Sequence, residues 1–326
     1  MTTALKFTDL SKVFPVGRRL FGAPRASVTA LHPMSLTVEK GETLGIVGES
    51  GCGKSTLARM LVGLLEPTTG NIEIGGAALN DTDPAAFGKC IQYVFQDPIS
   101  SLNPRKTIRQ IMEAPLRHLH RMDKPRREAR IREIFDSVNL RAEFLDRYPH
   151  EFSGGQAQRI GIARALAANA GILILDEPVS ALDVSVQAQV LNLLSDLKSQ
   201  FDLTYLFISH DLAVVEAVSD RIAVLYFGSV VEIGPAQEVF RTPRHPYTRL
   251  LADSAPIVGR PLKAPEARNT ELPDPLAPPP GCAFAARCSR ASNRCRVEVP
   301  SLSVTGGLSS VACFHPLEPS TTSHDR

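Results

Sequence analysis

The sequence has no apolar run long enough to cross a membrane. Its longest apolar runs, such as Ile172–Leu175 and Ile222–Phe227, are far shorter than the roughly 20 residues that a spanning helix needs. The chain begins Met-Thr-Thr-Ala-Leu-Lys-Phe-Thr-Asp, which is not the basic-then-apolar pattern of a secretory leader. We therefore expect the protein to stay in the cytoplasm and to reach a membrane only through a partner.

The sequence also lacks an excess of charge of one sign. It contains 36 Lys and Arg residues against 34 Asp and Glu residues, a net charge of +2. Such a balance has no basic footprint of the kind that nucleic-acid-binding proteins carry, so no nucleic-acid partner is predicted. The hydrophobic fraction of 43% is that of a globular protein. A chain of 326 residues predicts one large domain with an appendage, or two domains.

A tight pair of cysteines, such as structural zinc sites usually show, is absent. Cys52 and Cys90 stand alone, whereas the other four cysteines crowd the C-terminal part with the spacing C-x5-C-x6-C-x17-C. In a reducing cytosol this crowding favours a metal site over disulfides. A linker precedes the four-cysteine segment, since eight of the 26 residues from 256 to 281 are proline.

The four-cysteine segment, residues 282–313, holds few large apolar residues. A bound metal would supply the folding free energy that a small core cannot. Four thiolates suit Zn²⁺ or an iron–sulfur cluster, and the wide spacing favours a 4Fe–4S cluster held by Cys282, Cys288, Cys295 and Cys313. Zn²⁺ and four unliganded cysteines packed as small hydrophobes are the alternatives.

A phosphate loop is the strongest motif. The apolar strand Leu44–Val47 runs into Gly48–Thr56, which matches G-x4-G-K-S/T, and a helix with apolar periodicity follows. The glycines let successive backbone N–H groups point at phosphate oxygens beside the positive end of the helix. We predict that Lys54 reaches the β- and γ-phosphates of a nucleotide and that Ser55 binds Mg²⁺. The predicted nucleotide ligands are Gly48, Glu49, Ser50, Gly51, Cys52, Gly53, Lys54, Ser55 and Thr56.

Two further segments carry chemistry. The strand Ile172–Leu175 ends in Asp176 and Glu177, which predicts that Asp176 holds Mg²⁺ and that Glu177 polarises the attacking water. The segment Phe152–Gln156, called the signature segment below, opens a helix. Its Ser-Gly-Gly turn is an anion site at a helix start, although an ordinary serine N-cap would give the same residues. The candidate ligands in it are Ser153, Gly154, Gly155 and Gln156.

The order of secondary structure indicates the fold class. Apolar strands at Ile172–Leu175, Thr204–Ile208 and Ile222–Leu225 alternate with amphipathic helices such as Val186–Phe201. This alternation predicts a mostly parallel sheet covered on both faces. The Arg-, Glu- and Leu-rich run before residue 150 predicts helices, with Ile131, Ile134, Phe135 and Val138 on one face. Short strands are predicted at Leu5–Phe7 and Met34–Val38, and a loop at Val16–Arg25.

Taken together, these motifs resemble the nucleotide-binding subunit of ABC transporters over about residues 5 to 250. Within that family the chain is similar to the peptide/nickel importer group, and most similar to its second dipeptide- or oligopeptide-permease ATPases. The family resemblance rests on Gly48–Thr56, Gln96, Phe152–Gln156, Asp176–Glu177, Ser180–Asp183 and His210. The resemblance to the group rests on Val94–Pro98, Ser101–Arg105, Asp176–Ser185 and Arg244–Thr248.

The resemblance implies further roles. Phe14 would stack on adenine, with a plain core phenylalanine as the alternative. Gln96 would sense Mg²⁺ and the attacking water, Asp183 would lie in the inter-subunit loop, and His210 would touch the γ-phosphate. The catalytic set is then Glu177, His210 and Gln96, and the Mg²⁺ set is Ser55, Gln96 and Asp176. Similar four-cysteine extensions occur in this group.

The implied fold is α/β: a P-loop ATPase core with an antiparallel β edge, a helical subdomain over about 98–157, and a C-terminal cysteine-containing extension. The cassette would span 1–240 and the extension 241–326. Two ATPase subunits, this chain and a related second one, would sandwich ATP between them. They would serve two integral membrane permeases and an extracytoplasmic substrate-binding protein from the cytoplasmic face of the inner membrane.

Dipeptide or oligopeptide import is the function that the resemblance favours, and nickel or glutathione import are alternatives. A soluble ABC ATPase acting on ribosomes or DNA would usually carry tandem cassettes or a long coiled-coil insertion, and this sequence has neither. A P-loop kinase would have no reason to keep Ser153–Gln156.

Overall fold

The computed structural model describes residues 2–17, 26–79, 83–254, 272–304 and 308–318. Most of the predicted loop Val16–Arg25 and most of the proline-rich linker therefore lie outside the described residues. Within the described ranges, no helix combines the length and the apolar character that a membrane crossing requires.

Strands and helices alternate through most of the chain. The strands are β1 (Thr3–Val16), β2 (Ala26–Glu39), β3 (Thr43–Val47), β4 (Thr69–Ile74), β5 (Ala77–Ala78), β6 (Ile91–Val94), β7 (Ile172–Asp176), β8 (Thr204–Ser209), β9 (Arg221–Tyr226), β10 (Ser229–Pro235), β11 (Ser303–Val304) and β12 (Ser310–Val311). The helices are α1 (Lys54–Leu61), α2 (Pro84–Gly88), α3 (Ile108–His118), α4 (Lys124–Ser137), α5 (Gly154–Ala167), α6 (Val184–Phe201), α7 (Leu212–Val218), α8 (Ala236–Arg241), α9 (Pro246–Ser254) and α10 (Asn293–Val297).

The main sheet has the order β11-β12-β10-β9-β3-β8-β7-β6. Strands β9, β3, β8, β7 and β6 run parallel to one another, as the sequence predicts, whereas β10 pairs antiparallel with β9. Every residue of β3, β7 and β8 is buried, which is why these strands read as continuous apolar runs. Helix α6 begins two residues before the predicted start because Asp183 caps it by accepting from the Val186 N–H.

The predicted antiparallel edge is a separate sheet with the order β2-β1-β4-β5. Strands β1 and β2 are each 14 residues long, so the short strands predicted at Leu5–Phe7 and Met34–Val38 are only parts of them. Register shifts between Phe7 and Leu10, and again up to Val13, interrupt the alternation of buried and exposed side chains. Because of these bulges, a search for period-two alternation detects only part of each strand.

The helical region between β6 and β7 consists of α3, α4 and α5, with two short 3-10 helices at Ala142–Asp146 and Pro149–Glu151. The face of α4 predicted to be apolar is confirmed, since Ile131, Ile134 and Phe135 are fully buried.

The C-terminal extension is built into the main sheet. Strands β11 and β12 form an antiparallel hairpin, and β12 pairs with β10. The Ala312 N–H also donates to the Val231 carbonyl at 2.8 Å. The four-cysteine segment is thus attached to the edge of the ATPase core by a backbone ladder.

Candidate functional site

The phosphate loop lies between β3 and α1. Gly51 and Gly53 adopt φ values of 83° and 106°, a region that glycine enters without steric cost. At Gly48 a Cβ atom would lie 2.2 Å from the Leu225 carbonyl oxygen, so only glycine fits between the loop and β9. The loop therefore takes this path because its glycines allow it, and it delivers Lys54 to the first position of α1.

The Lys54 side chain is held inside the loop. Its residue is 5% exposed, and Nζ donates to the carbonyls of Gly48 at 2.6 Å and Glu49 at 3.0 Å. Cys52, which was predicted as a nucleotide ligand, is 1% exposed and packs in the core beneath the loop. Burial raises the pKa of its thiol. Only the backbone of Cys52 is thus available to a nucleotide.

A cavity of about 640 Å³ opens above the loop, a volume typical of ligand pockets. Its lining comprises Ala30, Glu49, Ser50, Gly51, Gly53, Lys54, Ser55, Thr56, Gln96, Glu177 and His210. The structure therefore brings the predicted phosphate loop together with all three residues of the predicted catalytic set.

Glu177 is the centre of that set. Its Oε2 accepts a hydrogen bond from Gln96 Nε2 at 3.0 Å and lies 3.3 Å from His210 Nδ1. The residue adopts a φ of 46°, and its N–H donates to the Ile208 carbonyl at 2.9 Å. A non-glycine residue in this region stores backbone strain, which the bond to β8 holds in place. The carboxylate is thus fixed from two sides at the wall of the cavity.

Asp176 is buried beside Glu177 at the end of β7. Its Oδ2 accepts a hydrogen bond of 2.5 Å from the Tyr93 hydroxyl, and its Oδ1 has no partner among the described residues. Burial and the neighbouring Asp176 charge both raise the pKa of Tyr93 far above its usual value. The sequence alone does not predict a role for Tyr93. The one feature that could indicate it is a hydroxyl group within β6, the strand that pairs with β7.

The signature segment lies elsewhere in the described chain and does not line this cavity. Ser153 caps α5: its Oγ accepts from the Gln156 N–H at 3.5 Å, and Gln156 Oε1 accepts from the Ser153 N–H at 3.1 Å. A Cβ on Gly155 would lie 2.6 Å from Val186, so the segment packs against the start of α6, which Asp183 caps.

Phe14 is also outside the cavity lining. It is half-buried in β1, and Lys12 Nζ lies 5.2 Å from the centre of its ring.

The four cysteines of the extension line one small cavity, together with His245 and His315. Burial, and then the neighbouring thiols, raise the pKa of Cys282 to about 11. In the described ranges, however, no group of three or more His, Cys, Asp or Glu side chains is placed to hold a metal ion. The described side chains are therefore not arranged to hold a single metal ion.

Comparisons with known proteins identify two regions. Residues 31–180 match the model of the ABC transporter family, and residues 231–295 match that of the oligopeptide/dipeptide transporter C-terminal region. The dipeptide transport ATP-binding protein DppF of Haemophilus influenzae is 46% identical over 96% of this chain and 97% of its own length. The oligopeptide transport ATP-binding protein AppF of Bacillus subtilis is 45% identical over 95% of this chain and 97% of its own.

Solved structures show the same architecture. A dimeric ATP-binding cassette in a post-hydrolysis state, bound to ADP and Pi, superposes with a TM-score of 0.63 at 31% identity, covering 71% of this chain and 98% of that one. The cbiO1 protein of Clostridium perfringens, part of the ABC transporter complex cbiONQ, also gives a TM-score of 0.63, at 25% identity over 74% of this chain and 91% of its own.

Proposed function

The chain belongs to the ABC transporter family, among its dipeptide and oligopeptide transport ATP-binding proteins, and on that premise we propose that it hydrolyses ATP to drive the import of short peptides. The observation that carries the proposal is the cavity in which the phosphate loop faces the Gln96–Glu177–His210 cluster. We assign residues 1–240 to the ATPase cassette, with a helical subdomain over about 98–157, and residues 241–326 to the extension.

The phosphate loop binds the triphosphate of ATP. Its backbone N–H groups and the N-terminus of α1 surround the phosphate oxygens. Lys54 exchanges the carbonyls of Gly48 and Glu49 for the β- and γ-phosphates. Because its ammonium is already desolvated and points into the loop, this exchange needs only a small rotation of the side chain.

Glu177 orients and polarises the water that attacks the γ-phosphate. Gln96 and His210 hold its Oε2, which leaves Oε1 to accept a proton from the water. His210 also lies within reach of the γ-phosphate, where it stabilises the charge that develops there.

The residues at the end of β7 fit Mg²⁺. The unpartnered Oδ1 of Asp176 is an oxygen ligand of the type that Mg²⁺ takes. Asp176 does not itself line the cavity, but Ser55 and the next residue, Glu177, do. Gln96 completes the set. These residues would hold Mg²⁺, which would supply charge neutralisation of the phosphates, while Tyr93 keeps the Asp176 carboxylate in one orientation.

A second ATPase subunit completes each site. The signature segment of this chain is separate from its own phosphate loop, so its helix N-terminus is free to face the nucleotide of a related partner. In that heterodimer Asp183 lies in the inter-subunit loop and Phe14 stacks on adenine. The pair serves two permeases at the cytoplasmic face of the inner membrane, and a separate extracytoplasmic protein supplies the peptide.

Uptake of a labelled dipeptide into vesicles that contain the assembled transporter tests this function. We expect ATP-dependent uptake that fails with Lys54→Ala, because the triphosphate then loses its principal cation. Unlabelled oligopeptide should compete with the dipeptide, whereas nickel and glutathione should not. Uptake of nickel or glutathione in place of peptide would contradict the peptide assignment.

For the extension we further propose that Cys282, Cys288, Cys295 and Cys313 hold a 4Fe–4S cluster. The proposal is supported by the enclosure of all four thiols around one cavity and by the chemistry of four thiolate donors. A cluster held there would draw on all four thiolates and would not require them to surround a single ion, an arrangement that the described side chains do not form. When bound, it would supply positive charge that stabilises thiolates, and burial otherwise raises the pKa values of Cys282, Cys288 and Cys313.

The cluster is tested by purifying the chain without oxygen and measuring iron, sulfide and zinc per chain with the visible spectrum. We expect four iron atoms per chain, in line with one cluster, and a brown protein. A Cys90→Ala variant is the matched control, because Cys90 is a free cysteine remote from this segment. A colourless, iron-free protein after attempted reconstitution would exclude the cluster, and stoichiometric zinc would replace it with a zinc site.

A further inference from the structure

Glu49, the second residue of the phosphate loop, is bound through three separate groups. Its N–H donates to the Tyr247 hydroxyl oxygen at 2.8 Å, and its carbonyl accepts from Lys54 Nζ at 3.0 Å. Its carboxylate accepts two hydrogen bonds from Arg287, at 2.7 and 2.8 Å. Tyr247 and Arg287 both belong to the C-terminal extension, so residues about 200 and 238 positions away fix this part of the loop.

Arg287 is built into its position. It is 8% exposed, and its guanidinium lies 5.7 Å from the Tyr226 ring centre and 5.6 Å from that of Phe284. The hydrogen bonds to Glu49 raise the pKa of Arg287 above its already high value. A planar guanidinium that packs against two rings and pairs with a carboxylate through two hydrogen bonds has little conformational freedom. The contact with Glu49 is therefore a fixed element of the phosphate loop.

The charge of Glu49 requires such a partner. Glu49 lines the cavity proposed for ATP, and an unpaired carboxylate there would repel the phosphates. The extension makes a second contact with the loop. Leu272 of the extension would lie 3.9 Å from a Cβ on Gly51, so the extension also covers the outside of the loop. The extension thus contacts the phosphate loop at two places, the carboxylate of Glu49 and the outside of Gly51.

We propose that Arg287 is a positioning residue for nucleotide binding, which cancels the repulsion between Glu49 and the triphosphate and lets the C-terminal extension set the ATP affinity of the cassette. This inference rests on the nucleotide site proposed above. It differs from the cluster proposal, because Arg287 acts through Glu49 whichever species, if any, the neighbouring cysteines hold.

The test is the dissociation constant of a fluorescent ATP analogue, measured by titration of the full-length chain. Arg287→Met should weaken binding about tenfold, the effect of one unit charge roughly 10 Å from the phosphates at an intermediate dielectric. Glu49→Gln added to Arg287→Met should restore the constant to within about threefold of the wild type, since the repelling charge is then absent. Arg294→Met is the matched control, because Arg294 pairs with Glu298 on the exposed surface of the same segment.

Two results would overturn the inference. One is an Arg287→Met variant that binds the analogue as tightly as the wild type. The other is a double variant as weak as Arg287→Met alone, which would show that the arginine serves only the folding of the extension. If Arg287→Met does not fold, Glu49→Gln alone still tests the inference. Glu49→Gln should bind the analogue at least as tightly as the wild type does, and weaker binding would contradict the proposed repulsion between Glu49 and the triphosphate.

A further variant separates this inference from the proposed function. Lys54→Ala should abolish binding of the analogue. If it does so while Arg287→Met has no effect, the nucleotide site stands and the role of Arg287 fails. If the wild-type chain itself does not bind the analogue, the proposed ATPase function fails first.

Discussion

The two carboxylate oxygens of Asp176 have different surroundings. One is held by the Tyr93 hydroxyl, and the other is buried without a partner in the described part of the chain. A buried acceptor in this state is unfavourable unless a ligand meets it. The asymmetry fits the Mg²⁺ role that we propose for Asp176, with Tyr93 as the residue that orients the carboxylate.

Tyr93→Phe tests this orientation. Removing the hydroxyl releases the carboxylate, and partners of metal ligands typically contribute tenfold or more to metal affinity. We expect the Mg²⁺ concentration for half-maximal ATP turnover to rise about tenfold, while ATP binding without Mg²⁺ stays unchanged. Tyr205→Phe is the control, because Tyr205 is also buried and its hydroxyl donates to the Leu194 carbonyl away from the site. Equal Mg²⁺ dependence in the two variants would contradict the role of Tyr93.

Single residues of the site were predictable to different degrees. Lys54 and Ser55 follow from a local motif, because the glycines, the strand before them and the helix after them are neighbours in sequence. Tyr93 and Arg287 could not be predicted, because each acts through a partner that only the folded chain brings near. Cys52 was placed in the correct loop, but the direction of its side chain depends on packing beneath α1.

At the scale of elements, helices α3 and α5 begin with the same arrangement. Thr107 and Gln110 form a capping box at α3, and Ser153 and Gln156 form one at α5. The two side chains therefore make the same local contribution to helix stability. Only the capping box of α5 lies in the signature segment. Comparing substitutions in the two boxes therefore distinguishes a helix-capping role from a nucleotide-binding role.

Ser153→Ala and Thr107→Ala should each lower the free energy of unfolding by about 1 kcal/mol. In the assembled transporter, Ser153→Ala should also reduce ATP turnover about tenfold or more, since a hydrogen bond to a charged phosphate is then lost. Thr107→Ala should leave turnover near that of the wild type. Thermal unfolding of both variants should be measured alongside their ATP turnover. Equal turnover would show that Ser153 only caps the helix and does not bind the nucleotide.

Parallel strand register explains why the site assembles. Val94 of β6 aligns with Leu175 of β7, and Asp176 aligns with Ile208 of β8. The residues that follow each strand therefore meet at one sheet edge, where Gln96, Glu177 and His210 converge. The sequence predicts each strand from its apolar run, but the strand order comes from the three-dimensional fold. The bulges of β1 likewise lie outside what periodicity can predict.

At the scale of the whole molecule, the chain presents a phosphate loop and a signature segment that do not meet within the described structure. A site that needs both must draw them from two chains. The C-terminal extension is attached to the ATPase core at two places: β12 pairs with the main sheet, and Arg287 forms an ion pair with the phosphate loop. Under the proposed function, the molecule carries one ATP half-site that its own extension supports and that a partner subunit would complete.

The isolated chain should accordingly bind ATP and hydrolyse it slowly. Adding the second ATPase and the permeases should raise turnover per chain about tenfold or more, because the partner supplies hydrogen bonds to charged phosphates that one chain lacks. Turnover should also rise with protein concentration in the isolated chain. Full turnover in a sample shown by light scattering to be strictly monomeric would contradict a site shared between two subunits.

The most direct measurement is the rate of ATP hydrolysis by the assembled transporter carrying Glu177→Gln. Glutamine keeps the size of the side chain and can still contact Gln96 and His210, but it cannot accept a proton from the attacking water. If Glu177 is the general base, we expect that ATP remains bound and that turnover at this site falls by about 10²- to 10⁴-fold, the range for loss of a general base. Hydrolysis by Glu177→Gln at a rate near that of the wild type would contradict it.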